Sequence, residues 1–176
     1  MSVPEETPLQ QPKRCAICGG GGASAPPPVE PSLRWLGTLG GDSSDAYGVS
    51  ADGSVVVGQA RNAAGQERAF RWTAAGGMQD LGTLDGDSSD AYGVSADGSV
   101  VVGQARNATG TFRAFRWTAS RGMEDLNAAY ASLLSGGSSL DAARAISPNG
   151  CYIVGFGFNA ATGRTEAFLL DTGGGP

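Results

Sequence analysis

Short runs in which apolar residues alternate with polar ones recur along most of the chain, and they predict strands rather than helices. The run SVVVGQA places three valines in succession, which is typical of a buried strand because β-branched side chains favour extended backbone. In RAFRWT, Phe70 and Trp72 alternate with Ala69 and Arg71. The first such set of predicted strands is Ala46–Ser50, Ser54–Ala60, Arg68–Thr73 and Met78–Leu84.

Turn residues separate these strands closely enough that neighbouring strands must be antiparallel. Ala51-Asp52-Gly53 lies between the first and second strands, and Arg61 to Gly65 lies between the second and third. Asp, Asn and Gly accept the backbone conformations that tight hairpin turns require. Each set of strands is therefore predicted to form one antiparallel sheet with neighbouring strands joined by hairpins.

The whole pattern repeats. Leu36–Asp80 reads LGTLGGDSSDAYGVSADGSVVVGQARNAAGQERAFRWTAAGGMQD, and Leu81–Asp125 repeats it 45 residues later with only seven differences. Four antiparallel strands in a repeat of this length are typical of one blade of a β-propeller. A third, degenerate repeat covers 126–171, and it opens with a predicted helix of about two turns that Asp125 or Asn127 can cap.

These repeats predict an all-β protein of tandem four-stranded antiparallel propeller blades. Three blades are fewer than the usual closed ring of about four to eight, so we expect a partial propeller or an open array, completed by further blades or by self-association. The predicted domains are a leader at 1–31, a β-repeat domain at 32–171 with repeats at 36–80, 81–125 and 126–171, and a polar tail at 172–176. The predicted core residues are Val55/Val100, Val57/Val102, Phe70/Phe115, Trp72/Trp117 and Met78/Met123.

The leader is rich in proline, glycine and charge, and this composition predicts disorder. It contains Cys15 and Cys18, for which three interpretations stay open. They are a redox or half-zinc motif, a lipidated Cys18 followed by a glycine tether, or two free thiols. The leader lacks the apolar core of a complete signal peptide.

Composition excludes several functions. The chain has no histidine, so a Ser-His-Asp triad and a histidine-ligated zinc site are ruled out. The net charge of −5 and the lack of a basic stripe argue against nucleic-acid binding. No apolar run is long enough for a transmembrane helix. We expect no cofactor and no catalytic residue.

Carboxylates are concentrated before the first strand of each repeat, where we expect loops. Asp85, Asp87 and Asp90 alternate with small residues in a pattern that suits calcium, although the later glutamate of an EF-hand loop is missing. The alternative is that these residues, like Asp42 and Asp45, form turns. A hydrolase pair formed by Asp87 and Asp90 is a further, less favoured interpretation.

Repeated aromatic residues are the candidate ligand contacts. Tyr47 and Tyr92 occupy the same position in successive repeats, as do Trp72 and Trp117. Such rings stack on a sugar or a protein if they are exposed, whereas a tryptophan at a fixed register more often packs between sheets.

The residues LGTLGGDSSDAYGVSADGSVVVGQA, AFRWT and GMQDLGTL resemble the HAF extracellular repeat family. The resemblance covers about Leu36–Asp171 and implies a bacterial exported protein, such as an autotransporter passenger, located outside the cell or at its surface. It implies no catalytic residues. We therefore expect a non-catalytic repeat module that binds a protein or a glycan; the alternatives are a calcium-stabilised structural repeat and a fragment of a propeller-type hydrolase.

Overall fold

The computed structural model describes residues 30–173, which form three successive antiparallel sheets. The predicted leader with Cys15 and Cys18 lies almost entirely outside the described residues, as does most of the predicted tail. Blade 1 contains β1 (Gly40–Val49), β2 (Val55–Asn62), β3 (Glu67–Thr73) and β4 (Gly77–Asp80). Blade 2 contains β5 (Asp85–Val94), β6 (Val100–Asn107), β7 (Phe112–Thr118) and β8 (Gly122–Asp125). Blade 3 contains β9 (Ser139–Ile146), β10 (Tyr152–Asn159) and β11 (Arg164–Asp171).

Each blade is a meander in which strands adjacent in sequence pair with one another. The first strands of neighbouring blades contact each other directly, β1 with β5 and β5 with β9. They therefore lie on the inner side of the array, where the blades converge. The prediction of an all-β partial propeller is confirmed, with the difference that the sheet of blade 3 contains three strands.

The core consists of two apolar layers, each between two blades. Val55, Val57 and Ala69 of blade 1 pack against Val101 and Phe115 of blade 2. The second layer joins blade 2 to blade 3; its members include Val102, Ala114, Leu126, Ile153 and Leu170. Stability therefore depends on stacking each sheet against the next, as expected for repeat architectures.

Most of the predicted core residues are buried. The four valines, Phe70, Phe115 and Trp117 are each less than a tenth exposed. Trp72, Met78 and Met123 are only partly buried. The guanidinium carbon of Arg34 lies 5.6 Å from the centre of the Trp72 ring and covers part of it.

The first and fourth strands differ from their predictions. β1 and β5 begin six residues earlier than predicted, so the aspartates expected in loops lie in strands. Polar side chains there did not prevent strand formation because the backbone pairs with the valine-rich second strand, for example Ser44 with Ala60. The fourth strand ends at Asp80 rather than Leu84, and the following segment contributes only an isolated bridge between Leu84 and Asn107.

The predicted two-turn helix is broken into two short pieces. α1 covers Leu126–Ala129, and a 3-10 turn follows at Ala131–Leu133. Asp125 caps α1 by accepting a hydrogen bond from the Asn127 amide at 2.8 Å. Of the two predicted capping residues, Asp125 and Asn127, the first is therefore the cap. None of the helical segments within residues 30–173 is long and apolar enough to span a bilayer.

Candidate functional site

A β-bulge occurs at the same place in the first strand of every blade. Ala46 pairs with Gly58 and Gly48 with Val57, which leaves Tyr47 as an extra residue. The same irregularity leaves Tyr92 extra in β5. A bulge bends the strand and redirects the side chain of its extra residue, and bulges are common beside binding sites.

In blade 3 the equivalent bulge residue is Arg144, between the pairs of Ala143 with Gly155 and Ala145 with Val154. Arg144 does not stand out in the sequence because the repeat motif changes there. Aligning Ala143-Arg-Ala-Ile with Ala46-Tyr-Gly-Val nevertheless places Arg144 in the tyrosine register. The three bulge residues therefore occupy equivalent positions in consecutive blades.

The side chains of these residues form a continuous row, which we call the inner row and define as Tyr47, Tyr92, Arg144 and Phe156. The two tyrosine rings have centroids 5.7 Å apart and are tilted by 31°. The guanidinium carbon of Arg144 lies 4.1 Å from the centre of the Tyr92 ring and 5.4 Å from that of Phe156. These are cation–π contacts, in which the positively charged guanidinium is attracted to the negative face of each aromatic ring.

Polar groups beside the row fix the tyrosine hydroxyls. The Tyr47 hydroxyl donates to Gln59 Oε1 at 3.0 Å. The Tyr92 hydroxyl donates to Asp90 Oδ2 at 3.3 Å, and the Gln104 amide donates to the same oxygen at 2.9 Å. Burial, together with the negative charge of Asp90, raises the pKa of Tyr92 to about 12. Tyr92 therefore remains a neutral hydrogen-bonding phenol over the physiological pH range.

A cleft of about 440 Å³ between blades 2 and 3 adjoins the end of the row at Phe156. Its lining combines aromatic, charged and amide side chains: Gln104, Thr111, Phe112, Arg113, Ser139, Asp141, Phe156 and Phe158. Arg113 and Asp141 form an ion pair across the blade boundary, with Nη1 and Oδ1 3.7 Å apart. The row and the cleft together place aromatic stacking surfaces next to hydrogen-bonding groups.

The two tyrosines predicted as ligand contacts are thus brought together, but the two tryptophans are not part of the site. Tyr47 is 46% exposed, whereas Tyr92 is partly buried beneath Arg144. Trp117 is 6% exposed and packs in the core, so its ring offers no free face to a ligand. Trp72 lies under Arg34 and away from the inner row.

The candidate calcium residues take separate partners. Asp87 lies 3.8 Å from Arg106 in an exposed ion pair, and Asp90 binds Tyr92 and Gln104. Asp85 begins β5 with a φ of 70° in the left-handed region, where blade 1 has Gly40. Between residues 30 and 173, no three Asp, Glu, Cys or His side chains group in a way that suits a metal ion.

Two solved structures have the same fold over most of this chain. One is TolB from Acinetobacter baumannii, with a TM-score of 0.53 and 20% identity over 79% of this chain. The other is a protein assigned as TolB from Agrobacterium tumefaciens, with a TM-score of 0.52 and 17% identity over 76%. The chain spans 32% and 47% of the lengths of these two proteins. No protein-family model matches the sequence. No curated protein matches it either.

Proposed function

We propose that the three blades form a non-catalytic binding module of a bacterial surface or secreted protein, and that the ligand is a glycan or a protein segment bound along the inner row. The observation that carries this proposal is the continuous stack of Tyr47, Tyr92, Arg144 and Phe156 across three blades. A buried core contact would explain a single aromatic pair. It does not explain a row that includes an exposed arginine and an exposed tyrosine.

A setting in the cell envelope is supported by the likeness of the fold to the two TolB structures and by the sequence resemblance to HAF repeats. We propose the autotransporter-like passenger role on that resemblance. Binding rather than catalysis is supported by the chemistry of the row, since it contains stacking faces and hydrogen-bonding groups but no nucleophile activated by a base.

A glycan array of bacterial and host oligosaccharides, with a parallel array of envelope-protein peptides, tests the proposal. We expect the wild-type chain to bind a limited set of related spots. Tyr47→Ala and Arg144→Ala should each weaken that binding by about tenfold, because one aromatic stacking or cation–π contact contributes on the order of 0.5–2 kcal/mol.

Leu133→Ala is the matched control, since Leu133 is 65% exposed on the 3-10 turn and lies outside the inner row. Its binding should equal that of the wild-type chain. Equal losses in all three variants, or no selective binding on either array, would contradict the proposal. Protease shaving of intact cells of the source bacterium tests location separately: a surface module is degraded, whereas a cytoplasmic marker is not.

A further inference from the structure

The first strand of blade 1 exposes the same surface that the first strand of blade 2 buries. β1 and β5 differ only at their first residue. Ser89 and Ala91 of β5 are fully buried, and Ala91 packs against the valines of blade 1. Ser44 and Ala46, their counterparts in β1, are exposed. β1 thus has the residues of a blade-docking strand in a solvent-exposed position.

The contact between blades 1 and 2 shows what such a strand binds. The amide of Ala69 donates a hydrogen bond to Ser89 Oγ at 2.9 Å, and Ser89 donates to the carbonyl of Gly82 at 2.6 Å. Ser44 makes the second of these bonds in the same way, to Gly37 at 2.7 Å. No donor to Ser44 Oγ is found among the described residues. Its oxygen is therefore free to accept the amide of another blade.

The face of blade 3 that points away from blade 2 is the surface to which an exposed β1 strand would bind. Alignment of the repeats places Tyr152, Val154 and Ala167 where blade 1 has Val55, Val57 and Ala69, the three residues that blade 2 covers. In blade 3 all three are exposed, with Tyr152 at 44% and Val154 at 41%.

Leu169 extends this apolar face. It pairs with Val154 across the sheet and is 69% exposed. We call the surface formed by Tyr152, Val154, Ala167 and Leu169 the terminal strip. A contiguous apolar strip of this kind on a sheet face marks an interaction surface.

We propose that two copies of this chain associate head to tail, with β1 of each copy covering the terminal strip of the other, to close a six-bladed propeller. Closed propellers contain about four to eight blades. Two copies of a three-sheet chain supply six, whereas three copies supply nine and exceed that range. The internal contact between blades 1 and 2 is the template, with the Ala167 amide donating to Ser44 of the second copy as Ala69 donates to Ser89.

Closure would also extend the inner row. Tyr47 of each copy would follow Arg144 of the other, as Tyr92 follows Tyr47 within the chain. The dimer would then carry two rows joined end to end around one axis. Dimerisation is separate from ligand binding, and it can be measured without any ligand.

Two residues make the closing contact weaker than the internal ones. Ala145 stands where the other blades have Gly48 and Gly93, and a Cβ on Gly48 would already lie 3.0 Å from the Tyr92 carbonyl. Pro148 lacks the amide hydrogen that Ala51 and Ala96 each donate to the next blade at 3.0 Å. We therefore expect a reversible dimer whose population rises with concentration.

Sedimentation velocity and light scattering over a dilution series test the proposal on the full chain. The mass should approach twice 17.7 kDa at high concentration and fall towards 17.7 kDa on dilution. A mass that stays at 17.7 kDa up to the solubility limit would overturn the proposal. A ladder of species larger than two copies would also contradict closure, because a head-to-tail contact that does not close produces open chains.

Two substitutions address the two faces separately. Ala46→Arg should block β1, and Leu169→Asp should place an unpaired charge in the terminal strip; each should weaken dimerisation by about tenfold or more. Leu133→Asp is the matched control, since Leu133 is 65% exposed on the 3-10 turn, and it should leave the dimer unchanged. Circular dichroism melts establish that each variant folds. Val49→Asp and Val154→Asp replace any variant that does not.

Mixing the two interface variants is the decisive measurement. The blade 3 face of Ala46→Arg and the β1 face of Leu169→Asp are both intact, so one of the two contacts in a mixed dimer is native. We expect the mixture to dimerise more strongly than either variant alone. A mixture that is as monomeric as its components, or a Leu133→Asp control that also dissociates, would refute head-to-tail closure.

Discussion

At the scale of single residues, the turn after each first strand is closed by one side-chain oxygen. Asp52 Oδ1 accepts the Ser54 amide at 3.0 Å and the hydroxyls of Ser50 and Ser54 at 2.7 Å each. Asp97 repeats this arrangement in blade 2, and Asn149 takes the same place in blade 3. The first hairpin of every blade thus depends on a single acceptor whose charge varies between repeats.

This arrangement predicts an unusually acidic carboxyl group. The hydrogen bond from the Ser54 amide, with those from the serine hydroxyls, lowers the pKa of Asp52 from 3.8 to about 2. Because the folded-state pKa is depressed, the stabilisation of the turn is complete above pH 3.8 and is lost as the pH falls through about 2. Carboxyl-carbon NMR titration of the folded protein should give a midpoint near 2 for Asp52.

Ser54→Ala is the control for that titration, since it removes a hydroxyl donor and should raise the pKa of Asp52. Asn149 does not titrate, so signals of the blade 3 turn should not follow the same transition. A midpoint for Asp52 at the ordinary value of 3.8 would show that the turn bonds are absent in solution.

At the level of single residues, the regular part of the repeat is the most informative part of the sequence, although the role of the tyrosines as ligand contacts stays a prediction. The identical positions of Tyr47 and Tyr92 singled them out, and the structure brings their rings together. Arg144 and Phe156 were missed because neither resembles its counterpart in the first two repeats. The role of Arg144 depends on the position of a bulge, which is set by strand pairing and is not visible in the local pattern.

At the scale of strands, a glycine in the middle of each second strand accommodates a phenylalanine ring. In blade 2, a Cβ placed on Gly103 would lie 1.9 Å from the Asp90 carbonyl oxygen and 2.7 Å from the Phe115 ring. Gly58 and Gly155 have equivalent neighbours in blades 1 and 3. The sheet therefore has no space for a side chain at this position.

We predict that Gly103→Ala lowers the free energy of unfolding by about 1–3 kcal/mol or more. This is the usual cost of inserting a methyl group into a packed interior. Urea unfolding followed by tryptophan fluorescence measures the change. Gly76→Ala is the control, because its Cβ would meet only the Thr73 hydroxyl, at 3.0 Å, on the surface. Equal stability of Gly103→Ala and the wild-type protein would show that the blade is packed more loosely than described.

The strands also show how far the hydrophobic pattern alone can predict structure. The valine-rich second strands and the aromatic third strands were located to within one or two residues because their side chains fill the core. The extents of the first strands were wrong. Their polar residues resemble a loop locally, and only pairing with a distant strand makes them extended.

At the scale of the whole molecule, blades are joined by bonds between a backbone amide and a buried serine as well as by apolar packing. Ser89 is fully buried and bridges Ala69 of blade 1 to Gly82 in the connection between blades. Ser44 is the identical residue in an exposed position. Ser89 and Ser44 therefore allow the same side chain to be compared inside and outside a blade interface.

We predict that Ser89→Ala destabilises the chain by about 1–3 kcal/mol, because it leaves the buried Ala69 amide without a partner. Ser44→Ala should change stability by no more than about 0.5 kcal/mol in dilute solution, where water replaces its hydroxyl. Thermal and urea unfolding at low protein concentration measure both. Similar losses in the two variants would mean that the blade interface does not depend on this bridge.

The architecture as a whole was predictable because the two near-identical repeats fix the blade length and the order of the strands. The three-stranded sheet of blade 3 and the broken helix before it were less predictable, since both occur where the repeat degenerates. The inner row required the three-dimensional arrangement, because it is formed by residues from separate blades that contact only after stacking.

The bulges on the inner strands have a consequence for how such proteins diversify. A bulge residue has no pairing partner on the neighbouring strand and lies outside both apolar layers, so exchanging its side chain leaves the scaffold intact. Tyrosine, tyrosine and arginine already occupy these three positions. Gene duplication of one blade followed by a change at a single codon per copy is enough to alter the side chains of the inner row without new folding problems.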